Sequence, residues 1–116
     1  MAANVDWYYH RKGCNTCTRM QALLEERGIV PKETESANKV RYDVDQALEL
    51  VRGMNRLVAA KGKSVVDLNL KSGDVDQETL TKHLIGPSGK LRAPAIRKGK
   101  TLLIGFHETA FDEFLS

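Results

Sequence analysis

Apolar positions along the 116-residue chain change their period several times, and each change marks an element. Trp7-Tyr8-Tyr9 is a short aromatic run that predicts a strand. Met20, Leu23 and Leu24 then recur at helical spacing, and Gly28 is a natural helix stop. The polar stretch 30–42 predicts an edge-like strand that completes a β-α-β unit. From Asp43 an apolar stripe runs through Val44, Ala47, Leu48, Val51, Met54, Leu57 and Val58. It predicts one helix closed by Lys61-Gly62-Lys63, with Asp43 and Gln46 spaced for a variant capping box. Gly53 lowers helix propensity there without demanding a break. Residues Val65 to Leu70 are extended or irregular, and Gly73-Asp74 turns into a second helix, Val75 to Ile85, that ends at Gly86-Pro87. Pro94 to Arg97 and Thr101 to Ile104 predict two strands around a Lys98-Gly99-Lys100 turn, and His107 to Leu115 predicts a last helix. The order is β-α-β, a helical segment, then β-β-α. This is an α/β chain, expected to form a single domain over residues 1–116 with a helical insertion at about 43–86.

Composition narrows the function classes. Hydrophobic residues make up 41% and charged residues 28%, ordinary values for a globular protein. No apolar run approaches the ~20 residues that cross a bilayer, so no membrane partner is expected. The first residues lack a basic start followed by an apolar stretch, so the default location is cytoplasmic. Eighteen basic residues against fifteen acidic ones leave a net charge of +3, and aromatics are only 6%, which argues against direct nucleic-acid binding. The charge is unevenly spread. Lys90, Arg92, Arg97, Lys98 and Lys100 fall within eleven residues without an acid, which predicts one electropositive corner.

The two cysteines form one motif, Cys14-Asn15-Thr16-Cys17, where the first strand turns into the first helix. Free N–H groups and the helix dipole stabilise a thiolate at such a terminus, and Arg11 and Lys12 add positive charge. On this reading Cys14 is the nucleophile and Cys17, one turn on, resolves a mixed disulfide. Thr16 and the backbone N–H groups of residues 15–17 would hold the thiolate. Three other readings stay open: two structural cysteines, a zinc site using His10-x3-Cys14-x2-Cys17, or a bridging iron–sulfur cluster between two copies. The zinc site lacks a fourth ligand, because His83 and His107 show no paired spacing. His10 either tunes the site or packs at the strand end.

The element order with Cys-x-x-Cys after the first strand resembles the thioredoxin fold, a three-layer α/β/α arrangement on a small mixed sheet. That resemblance implies a cis proline beside the cysteines, at Pro94. Tyr9-His10-x3-Cys14, Leu24-Glu25-Glu26-x-Gly28-Ile29, Leu91-Arg92-Ala93-Pro94-Ala95-Ile96 and Gly99 to Phe106 together resemble the arsenate-reductase-like branch of that superfamily, over nearly the whole chain. The branch includes glutaredoxin-coupled arsenate reductases and a redox-sensing regulator that binds RNA polymerase. It implies a thiol–disulfide oxidoreductase with Cys14 catalytic and Cys17 matching the regulator's second cysteine. It also implies an anion pocket of arginines, matched here only in part. The position before the proline is Ala93, with Arg92 one place earlier; the position in the insertion falls on Lys61; the last falls near Gly105. Arg92, Lys61, Thr16 and Pro94 are therefore the substrate-binding candidates. No bound cofactor is expected, and glutathione is the candidate thiol co-substrate. The expected partner is a thiol donor or a disulfide-containing protein, with a small anion as the alternative substrate. A redox-switched adaptor for a partner such as RNA polymerase is the rival function, and an arsenate reductase proper is the least favoured.

Overall fold

The computed structural model describes residues 5–11, 15–61, 63–71, 75–86, 89–107 and 111. Among these residues six strands form one mixed sheet: β1 (Trp7–His10), β2 (Glu33–Ser36), β3 (Arg56–Lys61), β4 (Ser64–Asn69), β5 (Ala95–Lys98) and β6 (Thr101–Ile104). Their order across the sheet is β2-β1-β5-β6-β3-β4. Helices α1 (Asn15–Glu26), α2 (Val44–Val51) and α3 (Gln77–Leu84) connect them. β1 pairs parallel with β2 and antiparallel with β5, β5 pairs antiparallel with β6, and β6 pairs parallel with β3.

Alternation along each strand divides the core into two layers. Tyr8, Val58, Ala60, Ile96 and Leu103 face Met20, Leu23 and Leu24 of α1. Trp7, Tyr9, Leu57, Ala59, Leu102 and Ile104 face Ala47 and Val51 of α2 and Leu84 of α3. A sheet covered on both faces in this way is the expected three-layer α/β/α architecture.

The insertion differs from expectation. It is not helical throughout 43–86: α2 ends at Val51, and the chain returns as the hairpin β3–β4 before α3. Gly53 has φ +86°, which breaks the helix and reverses the chain. Asn55 then donates its N–H to the Lys100 carbonyl (2.7 Å), locking the start of β3 beside β6. Met54, Leu57 and Val58 continue the helical period by coincidence. Leu57 to Ala60 is a fully buried run because β3 lies between two strands with both faces covered, and such a run carries no alternation. Residues Val65 to Leu70, extended or irregular by sequence, fall largely in β4, Ser64–Asn69. Within the polar stretch 30–42 the strand proper is Glu33–Ser36, a half-exposed edge.

The remaining boundaries follow local chemistry. Asp43 accepts from the Gln46 N–H (2.9 Å) while the Gln46 side chain accepts from the Asp43 N–H (3.1 Å), so the capping box forms as read. Asp76 caps α3 through the Thr79 N–H at 2.8 Å. Gly99, with φ +59°, makes the tight turn between β5 and β6. Of the last helix, Phe111 donates its N–H to the His107 carbonyl (2.9 Å) and packs on the α1 layer; residues 108–110 and 112–116 lie outside the described residues.

Candidate functional site

The parallel strands β1, β2, β3 and β6 all finish at one end of the sheet, and β5 starts there. Tyr9 pairs with Ala95, so the register carries His10 towards Pro94. Ala59 pairs with Ile104, so Ala60 comes beside Gly105. This end therefore gathers the start of α1, the turn before β5, the end of β3 and the exit of β6.

Cys14 lies outside the described residues. Cys17 is buried within the first turn of α1, and its Sγ accepts the Arg11 N–H at 3.4 Å. Tyr8 donates its hydroxyl to the Cys17 carbonyl at 3.4 Å, which ties this turn to β1. The Tyr8 and His10 rings stack with centroids 5.2 Å apart. Beside them an open groove of about 430 Å³ is lined by Tyr8, His10, Arg11, Cys17, Thr18 and Gln21. His10 thus packs on Tyr8 and also lines the groove. Thr16 is exposed on α1. Sequence reading missed Tyr8 as a support of this turn; its alternation with Trp7 and Tyr9 was the available signal.

The Ala93–Pro94 peptide is cis, as the thioredoxin resemblance implied. Pro94 is buried, and its carbonyl accepts the Gly105 N–H at 2.8 Å. Arg92 is half-buried just before it. One terminal guanidinium nitrogen donates to the Ala60 carbonyl at 2.6 Å and the other to the His83 carbonyl at 3.3 Å. Burial holds this guanidinium below its ordinary pKa. Lys61 is exposed at the end of β3. The structure thus brings Cys17, Pro94, Arg92 and Lys61 to one end of the sheet. Arg92 spends its two terminal nitrogens on main chain, and Thr16 and Lys61 face solvent.

The predicted electropositive corner is divided. Lys90 and Arg92 lie at the Pro94 end, while Lys98 and Lys100 flank the turn at the far end of β5. A strand of four residues separates the two groups by roughly 13 Å. Run length in sequence does not make a patch when a strand carries the run from one end of a sheet to the other.

Two further residues of this end have structural roles that the sequence reading did not give them: Gly105, met there only as the place of a missing arginine, and His83, met only as an unpaired zinc candidate. Gly105 has φ +80°, and a Cβ there would lie 2.5 Å from the Ala60 carbonyl oxygen and 3.2 Å from a terminal nitrogen of Arg92. His83, on α3, is held below its ordinary pKa first by burial and then by the charges of Lys82, Arg92 and Lys61. Among the described residues no three His, Cys, Asp or Glu side chains group as metal ligands. No described helix is long and apolar enough to cross a membrane.

A six-stranded mixed sheet of this order with helices on both faces, and a cysteine in the first turn of the helix after β1, defines a thioredoxin-like α/β protein. The ArsC family model matches residues 9–114, and the chain belongs to that arsenate-reductase-like family. Among solved structures, the YffB protein superposes with a TM-score of 0.57 at 18% identity, covering 95% of this chain and 98% of its own. At that identity the likeness speaks for the fold. No curated protein sequence matches the chain.

Proposed function

We propose that this protein is a thiol–disulfide oxidoreductase in which Cys14 is the nucleophile and Cys17 the resolving thiol. The observation that carries the reading is the placement of Cys17. Its sulfur is buried within the first turn of α1, takes a main-chain N–H from Arg11, and borders a groove at the Pro94 end of the sheet. A resolving thiol has to be sheltered from outside disulfides and still lie within reach of the sulfur one turn earlier.

The reaction balances without a bound cofactor. The Cys14 thiolate attacks one sulfur of a substrate disulfide. A Cys14–substrate bond forms, the substrate S–S bond breaks, and the first substrate thiolate leaves. Cys17 gives up its proton and attacks the Cys14 sulfur. The Cys14–Cys17 disulfide forms and the second substrate thiolate departs, so two electrons pass from the pair to the substrate. A thiol donor, with glutathione as the candidate, reduces the pair for the next turnover. The cramped exit of β6 at Gly105 and the engagement of Arg92 with main chain favour a disulfide substrate over an oxyanion such as arsenate.

The test is mixed-disulfide trapping with mass spectrometry on the full chain. Cys17→Ser should accumulate an adduct on Cys14, and Cys14→Ser should neither form one nor turn over. Full reductase activity in Cys14→Ser would overturn the mechanism.

A further inference from the structure

Arg92 lies where three segments meet. Its main-chain N–H donates to the Leu84 carbonyl at 2.9 Å, and its side chain reaches the His83 carbonyl at 3.3 Å. Both acceptors belong to the last turn of α3, whose carbonyls have no partner within the helix. A cation there also complements the negative end of the helix dipole. The other terminal nitrogen reaches the Ala60 carbonyl of β3 at 2.6 Å, across 32 positions in sequence. One planar group thus joins a helix end, a strand end and the turn that leads into β5.

The surroundings are shaped to this arrangement. Gly105 carries no Cβ, and one placed there would strike the Ala60 carbonyl at 2.5 Å and crowd the guanidinium at 3.2 Å. Gly86 lies against the same side chain at ordinary contact distance, since a Cβ on it would lie 3.4 Å from the Arg92 Cγ. The Gly105 N–H returns to the Pro94 carbonyl at 2.8 Å, and the Leu91 N–H goes to the Tyr42 carbonyl at 2.8 Å. The segment from Leu91 to Pro94 is therefore pinned on both sides, with Arg92 at its centre.

We propose that Arg92 is a positioning residue for the thiol site, fixing the Leu91–Pro94 segment by bridging α3 to β3, and that it does not serve as an anion ligand. The kinetic part rests on the oxidoreductase reading above; the structural part does not. A guanidinium suits this role because its fork is rigid and spans two acceptors, whereas a lysine offers one compact charge. Misplacing a reacting partner by a fraction of an ångström slows a reaction without abolishing its chemistry.

The experiment compares Arg92→Lys and Arg92→Ala with the natural chain by amide hydrogen exchange and by the rate of Cys14 reaction with a glutathione disulfide. Exchange at Leu91, Arg92 and Gly105 should quicken in both variants while that at Trp7 to Tyr9 holds. The Cys14 rate per folded molecule should fall roughly tenfold, with an unchanged pH profile and no rescue by lysine. Should Arg92→Ala fail to fold, Arg92→Lys decides. The proposal is overturned if exchange at the three amides is unmoved, if lysine restores the rate, or if the rate per folded molecule is untouched. It is equally overturned if millimolar sulfate, phosphate or arsenate shields Cys14 in the natural chain but not in Arg92→Ala. If the natural chain shows no disulfide exchange at all, the oxidoreductase reading fails by itself, and amide exchange alone decides the bridging role.

Discussion

The four strands β2-β1-β5-β6 and the hairpin β3–β4 share one sheet but are specified in different ways. The first group is marked locally. Its turns carry Gly99 and its β1 alternates Trp7 and Tyr9 against Tyr8 across the two layers. The hairpin is specified at a distance. Its inner strand, Leu57 to Ala60, is apolar at every position because β6 and β4 flank it and helices cover both faces. A half-buried strand advertises its face through alternation, whereas a central one shows only that it is buried. The two groups meet where β6 lies parallel to β3, and that seam is closed at its upper end by Gly105, Ala60 and Arg92.

The seam is where the comparison breaks most readily. Gly105→Val should destabilise the fold by about 4 kcal/mol. The left-handed backbone contributes ~1–2 kcal/mol, and forcing a side chain against the Ala60 carbonyl adds ~1–3 kcal/mol. Chemical denaturation reads the change. A loss below about 1 kcal/mol would mean that the two groups do not approach so closely at this end.

Next in size is the buried centre of the hairpin. Leu57 is fully buried, and Leu57→Ala should cost about 3 kcal/mol through lost transfer and a residual cavity. On the outer strand Val65 is 36% exposed, and Val65→Ala should stay within about 0.5 kcal/mol. Equal costs at the two positions would contradict the assignment of β3 as a central strand and β4 as an edge.

This contrast also explains what could be read beforehand. The capping box of Asp43 and Gln46, the stop at Gly28 and the turn at Gly99 are short-range features, and each appears where its residues place it. The cis bond at Pro94 was accessible only through resemblance, since Ala93-Pro94 by itself fixes neither isomer. The hairpin was hidden because Met54, Leu57 and Val58 extend the stripe of α2 past Gly53, and only the pairing with β6 decides between helix and strand. Of the Cys14-x-x-Cys17 motif the structure describes Cys17 alone, and its place in the first turn of α1 was legible because that turn is local. Arg92 was named for its charge, but what the charge does depends on carbonyls at Ala60 and His83 that no spacing rule connects to it.

A smaller effect separates the aromatic cluster under β1 and β2 from the seam. Trp7 donates its Nε1–H to Glu35 at 3.0 Å, and Tyr42 donates its hydroxyl to the same carboxylate at 2.6 Å. Burial first, then the bond to Glu35, raises the Tyr42 phenol well above its usual 10.0; burial likewise raises Tyr9. The native state therefore keeps protons that the unfolded chain releases above pH 10. Stability from these phenols is fully present below that pH and is lost as pH rises further. Tyr42→Phe should cost about 1 kcal/mol at neutral pH and flatten the alkaline loss in urea titrations between pH 9 and pH 11. An unchanged alkaline slope would assign the loss to other groups.

The smallest expected effect lies within the hairpin itself. Arg56 on β3 and Asp67 on β4 form a two-point pair, with Nε to Oδ1 at 2.8 Å, and their side chains are 43% and 47% exposed. They sit diagonally, since Arg56 faces Asn69 and Asp67 faces Val58 in the register. The bond to Arg56 holds the Asp67 carboxyl below its usual 3.8, so its contribution is present above that pH and is lost as pH falls through the lowered value. Solvent screens a pair this exposed, and Asp67→Asn should cost less than about 1 kcal/mol at neutral pH. High salt should shrink even that, because ions screen exposed charges. A loss above about 2 kcal/mol that ignores salt would show that the pair is sheltered and holds the hairpin closed. A small, salt-sensitive loss would leave Leu57 and its apolar neighbours as what holds the hairpin against β6.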